Sequence, residues 1–394
     1  MVLTRKKLPR SKLPTWSHPP IYAAVRAATA AAQLFPFDET VRVMRGMAGG
    51  FASLPFNRTR LRRATDNLSW CFPDWSAEKV HEHAIEAYRH LFTVAAEIAY
   101  TPRLISSDSY PNHVELGTLA EGLRELLTDR PAILIAGHCG NWELLGTTLA
   151  VLGLPVHALY RPLDMRPLDN WVQDSRSRRG LTLVNKFGAS HVLPDVLTRR
   201  EPVGFIADQN AGERGLYVPF FGRLASTYKS IALLAIRFNA SLVCGMARRL
   251  TPAERALSAS HGDGHDGSSA FSYHIDIIDV IRPEDWQGGG PARTDAHGVP
   301  LVSSSPPPDP IYYITARYRR AIETMVRRAP DQYLWMHRYW KTRPPHERDG
   351  KPFPPRLRQK LLELPWMTAD ELDRITDRSA RDAEEIRQHG KLRH

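Results

Sequence analysis

The sequence contains little cysteine, and its cysteines are not arranged as a disulfide framework or a structural zinc site. The three residues, Cys71, Cys139 and Cys244, lie far apart, are odd in number and form no C-x-x-C pair. This arrangement argues against both kinds of cross-link. It favours a reducing compartment, because small disulfide-rich folds belong to oxidising ones.

Long hydrophobic runs are also scarce. A membrane-spanning helix needs about 20 mostly apolar residues, whereas the Ala-rich stretch from Ile21 to Phe37 is interrupted by Arg26 and Gln33. It follows a basic leader containing Arg5, Lys6, Lys7, Arg10 and Lys12. A basic leader before a moderately apolar helix is typical of a segment that lies on a membrane surface. We expect residues 1–55 to associate with a membrane in this way; the alternative is an ordinary amphipathic helix packed on the domain.

Acidic residues are fewer than basic ones, and the chain carries a net charge of +11 with a pI near 9.7. Such a balance favours anionic partners: membrane phospholipid, phosphorylated substrates, acidic carrier proteins or nucleic acid. The basic residues are scattered, however, and no helix-turn-helix, zinc-finger or RNA-binding signature is present. A non-enzymatic nucleic-acid-binding protein is therefore the remote alternative, and we expect no nucleic acid among the partners.

Short apolar runs alternate with helical patterns along the central part of the chain, which indicates an α/β fold with a mostly parallel central sheet flanked by helices. The strand candidates are Ala132–Ala136, Pro155–Tyr160, Leu181–Asn185, Pro202–Ala207, Ser241–Arg248 and Tyr273–Ile281. We expect a catalytic domain over residues 56–350, which follows the membrane-associating helices of 1–55 and precedes a charged helical tail over 351–394. Ser76 and Thr368 are expected to cap helices at their amino ends.

Two stretches rich in Gly, Ser, Pro and His, at about 251–270 and 286–310, are expected to be surface insertions. The first contains His261, Asp263, His265 and Asp266. Metal sites need a pre-organised geometry, which so flexible a segment does not provide, so we predict no metal site there.

The most informative stretch begins at the buried strand Ala132–Ala136. The strand is followed by Gly137, and His138 then lies in the strand-to-helix turn. Asn141 is a good N-cap, which places Glu143 in the first helical turn. In open α/β sheets the carboxyl end of a strand is where ligands usually bind.

The spacing of His138 and Glu143 restricts the backbone between them. Residues five apart on a regular helix point about 140° away from each other, so the two can meet only if the turn containing Gly137 and Gly140 is non-helical, which glycine permits. A carboxylate beside an imidazole fixes its tautomer and stabilises the imidazolium that forms on proton abstraction. The pair can therefore act as a general base; the alternative is a structural histidine with a capping glutamate.

This stretch resembles the H-x4-D/E motif of the lysophospholipid acyltransferase superfamily, and the wider chain is similar to the bacterial lipid A lauroyl- and myristoyltransferases. The likeness runs from about Arg60 to Pro345 and rests on six separate motifs in the expected order. These are Asn67–Pro73, Gly137–Glu143, Tyr160–Pro162, Arg178–Gly180, Ala207–Gln209 with Val218–Gly222, and Tyr333–Arg338.

The resemblance implies direct transfer of a fatty acyl group from an acyl thioester to a lipid hydroxyl, with His138 as the general base and Glu143 as its orienting partner. The substrate-binding positions that we predict are Arg161, Arg179, Asp208, Gln209 and Asn141. Guanidinium groups such as that of Arg161 suit phosphate oxyanions. The donor would ride on acyl carrier protein or coenzyme A, no cofactor is expected, and the enzyme would act at the cytoplasmic face of the bacterial inner membrane.

Two positions depart from the family pattern. Cys139 stands where an aromatic or aliphatic residue is common, and Cys244 stands where a proline is common. A thiol enzyme with Cys139 as nucleophile is one alternative, although adjacent residues on an extended turn point apart, so that His138 is poorly placed to activate Cys139. Other acceptors, such as phosphatidylinositol mannosides or lysophospholipids, are the closer alternative.

Overall fold

A mixed sheet forms the centre of the computed structural model, which describes residues 14–177, 180–260 and 270–392. In these ranges the strands are β1 (Val114–Leu116), β2 (Ala132–Ala136), β3 (His157–Tyr160), β4 (Thr182–Asn185), β5 (Val203–Ile206), β6 (Leu216–Phe220), β7 (Arg223–Thr227), β8 (Ser241–Arg249), β9 (Tyr273–Ile281), β10 (Arg293–Thr294) and β11 (Pro300–Val302).

Seven of these strands form the central sheet, in the order β1-β9-β8-β2-β5-β3-β4. Neighbouring strands are parallel except for β8 and β9, which pair antiparallel. The prediction of a mostly parallel sheet is thus confirmed. The strands β6 and β7 form an antiparallel hairpin, and β10 pairs with β11.

Helices cover both faces of this sheet. Those in the described ranges are α1 (His18–Ala32), α2 (Phe37–Ser53), α3 (Arg58–Cys71), α4 (Ala77–Leu104), α5 (Ala120–Leu127), α6 (Trp142–Val151), α7 (Arg166–Ser177), α8 (Ala189–Thr198), α9 (Lys229–Phe238), α10 (Pro252–Ser260), α11 (Glu284–Gln287), α12 (Pro310–Arg328), α13 (Pro345–Arg348), α14 (Pro355–Leu362) and α15 (Ala369–His389).

The alternation of side chains along the strands divides the core into two layers. On β2, Ile133 and Ile135 belong to the larger core, which includes α8, α9 and α12. The intervening Leu134 and Ala136 face the smaller core, which Leu145 and Leu149 of α6 cover. The two layers bury opposite faces of the same parallel strands, which explains why these strands are apolar throughout.

The amino-terminal helices leave an apolar surface exposed. Val43, Met47 and Phe51 recur every four residues on α2 and are 60%, 58% and 36% exposed; the nearby Leu54 and Phe56 are also exposed. The opposite side of α2 packs against α4, where Arg45 donates a hydrogen bond to Glu86. Nowhere in the described ranges does a helix combine the length and apolar character that crossing a bilayer requires.

The structure describes only part of the insertion at 251–270 but almost all of the tail at 351–394. Of the expected insertion 251–270, His261, Asp263, His265 and Asp266 lie outside the described residues. The tail contains α15, whose capping box is formed by Thr368 and Glu371 as the sequence indicated. Asp382 on this helix forms a buried ion pair with Arg223 of β7, so the tail is joined to the rest of the fold.

Candidate active site

The strand-to-helix turn after β2 carries His138, and the ends of two neighbouring strands face it. Asp208 follows β5 and Arg161 follows β3, both of which run parallel to β2. Parallel strands present their carboxyl ends on one side of a sheet. Three of the predicted site residues therefore lie along the same edge.

The hydrogen-bond partner of the His138 imidazole is Asp208. Nδ1 of His138 lies 2.7 Å from Oδ1 of Asp208, and the backbone N–H of His138 donates to Oδ2 at 3.1 Å. Asp208 is completely buried, whereas 19% of the His138 side chain is exposed. Burial by itself would raise the pKa of Asp208, but the charge and hydrogen bonds of His138, helped by Arg319, lower that pKa to about 2.

This contact settles how the neutral imidazole is oriented. An ionised carboxylate can only accept, so Nδ1 of His138 carries the proton and donates it to Asp208. Nε2 then holds the free lone pair on the neutral ring. A neutral imidazole whose tautomer is fixed by a buried carboxylate in this way can act as a general base.

Glu143, expected beside His138, is paired with another residue. Its carboxylate accepts two hydrogen bonds from the guanidinium of Arg176 on α7, one of them at 2.8 Å from Nε to Oε2. The physical reason is the helix start: α6 begins after Asn141, so Glu143 projects from a helical turn while His138 lies before it. Glu143 and His138 both line the same cavity, but the expected hydrogen bond between them is replaced by two other pairs.

Asn141 acts inside the scaffold. Its side chain is fully buried, accepts from the backbone N–H of Leu144 at 2.9 Å and donates to Glu97 at 2.9 Å. The N-cap prediction is confirmed. Both polar ends of Asn141 are occupied within the fold, and its expected contact with substrate stays a prediction.

A buried ion pair continues this support. Glu97 of α4 accepts from Arg249 at the end of β8 at 2.8 and 2.9 Å, and Arg249 also donates to Tyr273. His90 on the same helix contacts the carbonyl oxygen of Gly140 at 3.1 Å. The turn that carries His138 is thus supported by polar side chains that are buried or largely buried.

Gly140 is required where it stands. Its φ is +62°, and a Cβ at this position would collide with the carbonyl oxygen of Ala247. Its N–H donates to Gln332, and Leu334 donates to the carbonyl of His138 at 3.3 Å. The turn therefore pairs along its backbone with the aromatic segment that follows α12. A side chain at Gly140 would instead push the turn away from Ala247 of β8.

The motif Asn67–Pro73 contacts the same aromatic segment. The side-chain amide of Asn67 on α3 donates to the carbonyls of Trp335 and His337 at 2.8 and 3.1 Å. This contact places His337 beside the base, with 5.5 Å between the ring centroids of His138 and His337. Burial, and then the charge of His138, lower the pKa of His337 to about 4, so His337 is neutral around neutral pH.

Cationic side chains surround the opening of the site. Arg161 and Gln209 both line the cavity, and so do Arg176 and Lys186. Lys186 follows β4 and donates its N–H to the carbonyl of Tyr160. Burial, and then the charge of Arg161, lower the pKa of the Lys186 ammonium group. Arg179 lies outside the described residues, so its substrate-binding role stays a prediction.

The cavity itself has a volume of about 1050 Å³. His138, Glu143 and the cationic residues lie at the strand ends, whereas most of the remaining lining is aliphatic. The aliphatic residues include Leu134, Leu145, Leu149, Val156, Leu181 and Ile275. A long apolar space that opens onto a histidine base suits a substrate with a hydrocarbon chain and a polar reacting group.

The thiol alternative does not fit this geometry. Cys139 is buried, and its Sγ contacts the carbonyl oxygens of Met325 and Ala329 at 3.5 and 3.8 Å. Burial raises the pKa of the Cys139 thiol well above its usual value. A nucleophilic cysteine needs the opposite, namely a lowered pKa and access to substrate.

Comparison with known proteins identifies the family. The model of the bacterial lipid A biosynthesis acyltransferases matches residues 11–253, which is more than half of the chain. The chain belongs to this family. This lipid A acyltransferase family member is therefore an acyltransferase enzyme, and the resemblance stated from the motifs is confirmed.

Three relatives show the degree of sequence similarity between this acyltransferase and known proteins. A lipid A biosynthesis palmitoleoyltransferase of Escherichia coli is 27% identical over 305 residues, which cover 75% of this chain and 83% of the relative. A lipid A biosynthesis lauroyltransferase of the same organism is 24% identical over 317 residues, 78% of this chain and 87% of the relative. A lipid A biosynthesis acyltransferase of Haemophilus influenzae is 24% identical over 289 residues, 71% and 76% of the respective chains.

The sequence alone did not indicate several residues that the structure brings to this candidate site. No role was predicted for Arg176, which lies near the end of α7, or for Lys186, which directly follows β4. His337 lies within the motif Tyr333–Arg338, but no role was predicted for it. A signal was available for Lys186, since it directly follows the predicted strand Leu181–Asn185, and strand ends of a parallel sheet share an edge.

Proposed function

We propose that this protein moves a fatty acyl group from an acyl thioester to a hydroxyl of a lipid A-type glycolipid in one direct transfer. The observation that carries the proposal is the imidazole of His138, which is held by the buried Asp208 and lines a mainly apolar cavity of about 1050 Å³. Membership of the lipid A acyltransferase family supports the glycolipid acceptor.

In the proposed reaction Nε2 of His138 takes the proton of the acceptor hydroxyl as its oxygen attacks the thioester carbonyl. The new C–O bond forms, the C–S bond breaks, and the proton passes from the imidazolium to the departing thiolate. Asp208 stabilises the imidazolium in between, because a buried carboxylate at Nδ1 favours the charged ring. No covalent acyl-enzyme is required.

Glu143 has a different part in this proposal from the one its spacing suggested. Its two hydrogen bonds hold the guanidinium of Arg176 beside the cavity. Together with Arg161 and Lys186, Arg176 forms a cationic rim near the base. Such a rim can bind phosphate groups of a glycolipid acceptor or the phosphate of the donor's carrier arm.

The aliphatic part of the cavity would take the hydrocarbon chain that is transferred. The relatives are named for palmitoleoyl and lauroyl transfer, which are chains of this kind. The donor would be acyl carrier protein or coenzyme A thioester, and the net charge of +11 favours either of these anionic donors.

The test of the base is His138→Ala. General-base catalysis contributes about 10²–10⁴-fold in rate, so we expect acyl transfer from a lauroyl thioester to a lipid A precursor to fall by at least that much while the circular dichroism spectrum is unchanged. A variant that keeps more than a tenth of the activity would refute the assignment. Lipid mass spectrometry of a deletion strain identifies the acceptor: loss of an acyl chain from lipid A supports the proposal, and loss from a phosphatidylinositol mannoside or a phospholipid contradicts it.

We further propose peripheral attachment to the cytoplasmic face of the inner membrane. The support is the exposed stripe of Val43, Met47 and Phe51 on α2, together with the exposed Arg58 and Arg60 that follow it on α3. Apolar side chains beside basic ones suit insertion into an anionic bilayer surface. Met47→Asp should reduce sedimentation with phosphatidylglycerol vesicles, and equal binding by the variant and the wild type would refute this surface.

A further inference from the structure

The cavity owes its room beneath α6 to unusually small residues on both of its walls. Gly146 is the glycine of α6 that lines it. On the sheet below, Ala158 of β3 pairs in register with Gly204 of β5, and both also line the cavity. Protein interiors rarely leave voids larger than a water molecule, so three small residues around one space indicate room kept for a ligand.

The direction of this space follows from the elements that enclose it. Its polar end lies beside Glu143, and its lining includes Val156 and Leu181, which precede β3 and β4 respectively. Tyr160 ends β3, so the distance from that edge back to Val156 is about 13 Å at the usual rise per strand residue. The cavity therefore runs along the strands, from the base toward the amino-terminal side of the sheet.

Gly146 of α6 and Leu181 meet along this path. A Cβ built on Gly146 would lie 3.3 Å from Cδ2 and 3.7 Å from Cδ1 of Leu181, and among the described residues no other atom would be within 4 Å, apart from its two chain neighbours and the backbone of its own helix. Gly146 is one helical turn after Glu143, and Leu149 comes one turn later, so the three share a face. At these distances the Cα of Gly146 is already in contact with Leu181 and leaves no room for a methylene group between them, so this contact closes the path that follows α6.

We propose that the contact between Gly146 and Leu181 is a closed constriction that ends the path of the acyl chain and so sets which chain length is transferred. This inference rests on the proposed acyl transfer and concerns the specificity of the same site. A side chain at Gly146 would fill the path at that point and shorten the accepted chain. Loss of the Leu181 side chain would widen the same point and admit a longer chain.

Gly146→Leu is expected to be compatible with the fold. The only contact that a new Cβ makes is with the far end of a flexible side chain, and leucine favours a helix more than glycine does. Leu181 is 5% exposed and belongs to the smaller core, so Leu181→Ala also removes packing. Leu181→Val is the milder second variant, and the melting temperature is measured for each.

The experiment is a double-variant cycle read out as selectivity. Purified wild type, Gly146→Leu, Leu181→Ala and the double variant are given octanoyl, lauroyl and palmitoyl thioesters with one acceptor, and kcat/KM is measured for each. In the single variants the ratio between long and short chains should shift in opposite directions, by about 10- to 200-fold for each methylene excluded or admitted at a tight apolar wall. The double variant should return toward the wild-type ratio, because the two changes act at one contact.

Ala380→Leu is the matched control, since it adds the same side chain to an exposed position on α15. Its ratio should equal that of the wild type. If the wild type transfers acyl groups but the variants change all chain lengths equally, or the double variant shows no compensation, the constriction is refuted while the proposed function stands. If the wild type transfers none of the three chains to any lipid acceptor, the proposed function itself fails.

Discussion

At the scale of single residues, the carboxylate that pairs with His138 is not the one that the spacing predicts. The spacing within His138–Glu143 suggested that the nearby glutamate orients the base, whereas the structure brings Asp208 to the imidazole from 70 residues away. No local pattern identifies such a partner, because it depends on β2 and β5 being neighbours in the sheet. The position of the base at a strand end was predictable, since that follows from the apolar run and the glycine after it.

Paired amide variants separate the two carboxylates. We expect Asp208→Asn to lower kcat by about 10²–10⁴-fold, because an amide can neither hold the Nδ1 proton in the same way nor stabilise the imidazolium. Glu143→Gln should act mainly through KM, since it releases the guanidinium of Arg176 from the rim. Steady-state kinetics with lauroyl thioester distinguishes the cases: a silent Asp208→Asn beside an inactive Glu143→Gln would restore the pairing that the spacing suggested.

Arg161→Lys tests the rim without altering net charge. A lysine keeps the positive charge but loses the planar fork that grips phosphate in two places. One lost charge-assisted hydrogen bond costs about 1.5–3 kcal/mol, or roughly 10- to 150-fold in binding or rate. Kinetics at fixed acyl donor, with the acceptor varied, measures this fall. A lysine variant with wild-type constants would mean that Arg161 is only a surface cation.

At the scale of elements, the sequence was most informative where strands are buried on both faces. The apolar run Ala132–Ala136 is β2 to the residue, and Tyr273–Ile281 is β9. The hairpin of β6 and β7 was missed for a physical reason. Pro219 breaks the strand pattern of β6, and Arg223 places a charge in β7; the first is tolerated because β6 is an edge strand, and the second because Asp382 pairs with it.

The stability of the fold should depend on pH through His274, which lies where β1 and β9 pair at the edge of the main sheet. On β9 its ring lies 3.1 Å from both Glu115 of β1 and Asp276, and the hydrogen bond with Asp276 raises the pKa of His274 despite partial burial. A raised pKa stabilises the fold fully below the usual histidine value of about 6.5, and this contribution is lost as pH rises through the folded value.

Urea unfolding checks this sign. The difference in free energy of unfolding between wild type and His274→Gln should be largest near about pH 6 and shrink toward about pH 9. Asp349→Asn serves as the control, because its exposed pair with Lys351 does not involve a histidine. A difference that stays constant over this range would contradict a protonated His274 between the two carboxylates.

At the scale of the whole molecule, α15 is attached by charge rather than by apolar area alone. Asp382 is 1% exposed and pairs with Arg223 at 2.6 Å and with Arg343 at 2.8 Å. Breaking a buried ion pair from one side leaves an uncompensated charge in the interior. The tail predicted from its capping box is thus part of the folded unit, which its high charge content did not reveal.

Asp382→Asn measures that attachment. We expect a loss of about 3–5 kcal/mol in the free energy of unfolding, since two buried guanidinium groups lose their shared partner. Asp373→Asn is the matched control on the same helix, because its pair with Arg358 is exposed and such pairs contribute about 0–1 kcal/mol. Equal midpoints of denaturation for the two variants would show that α15 is not held in this way.

The hydrogen bonds between Asn67 and the aromatic segment also determine how early in synthesis the site can form. Asn67 and Trp335 are 268 residues apart, and the turn of His138 pairs with residues 332–334. At a synthesis rate of about 5–20 residues per second, the segment leaves the ribosome roughly 10–40 s after His138 does. During that interval the nascent chain has its histidine but not the backbone that fixes it, so the site cannot assemble until this distant segment has also been synthesised.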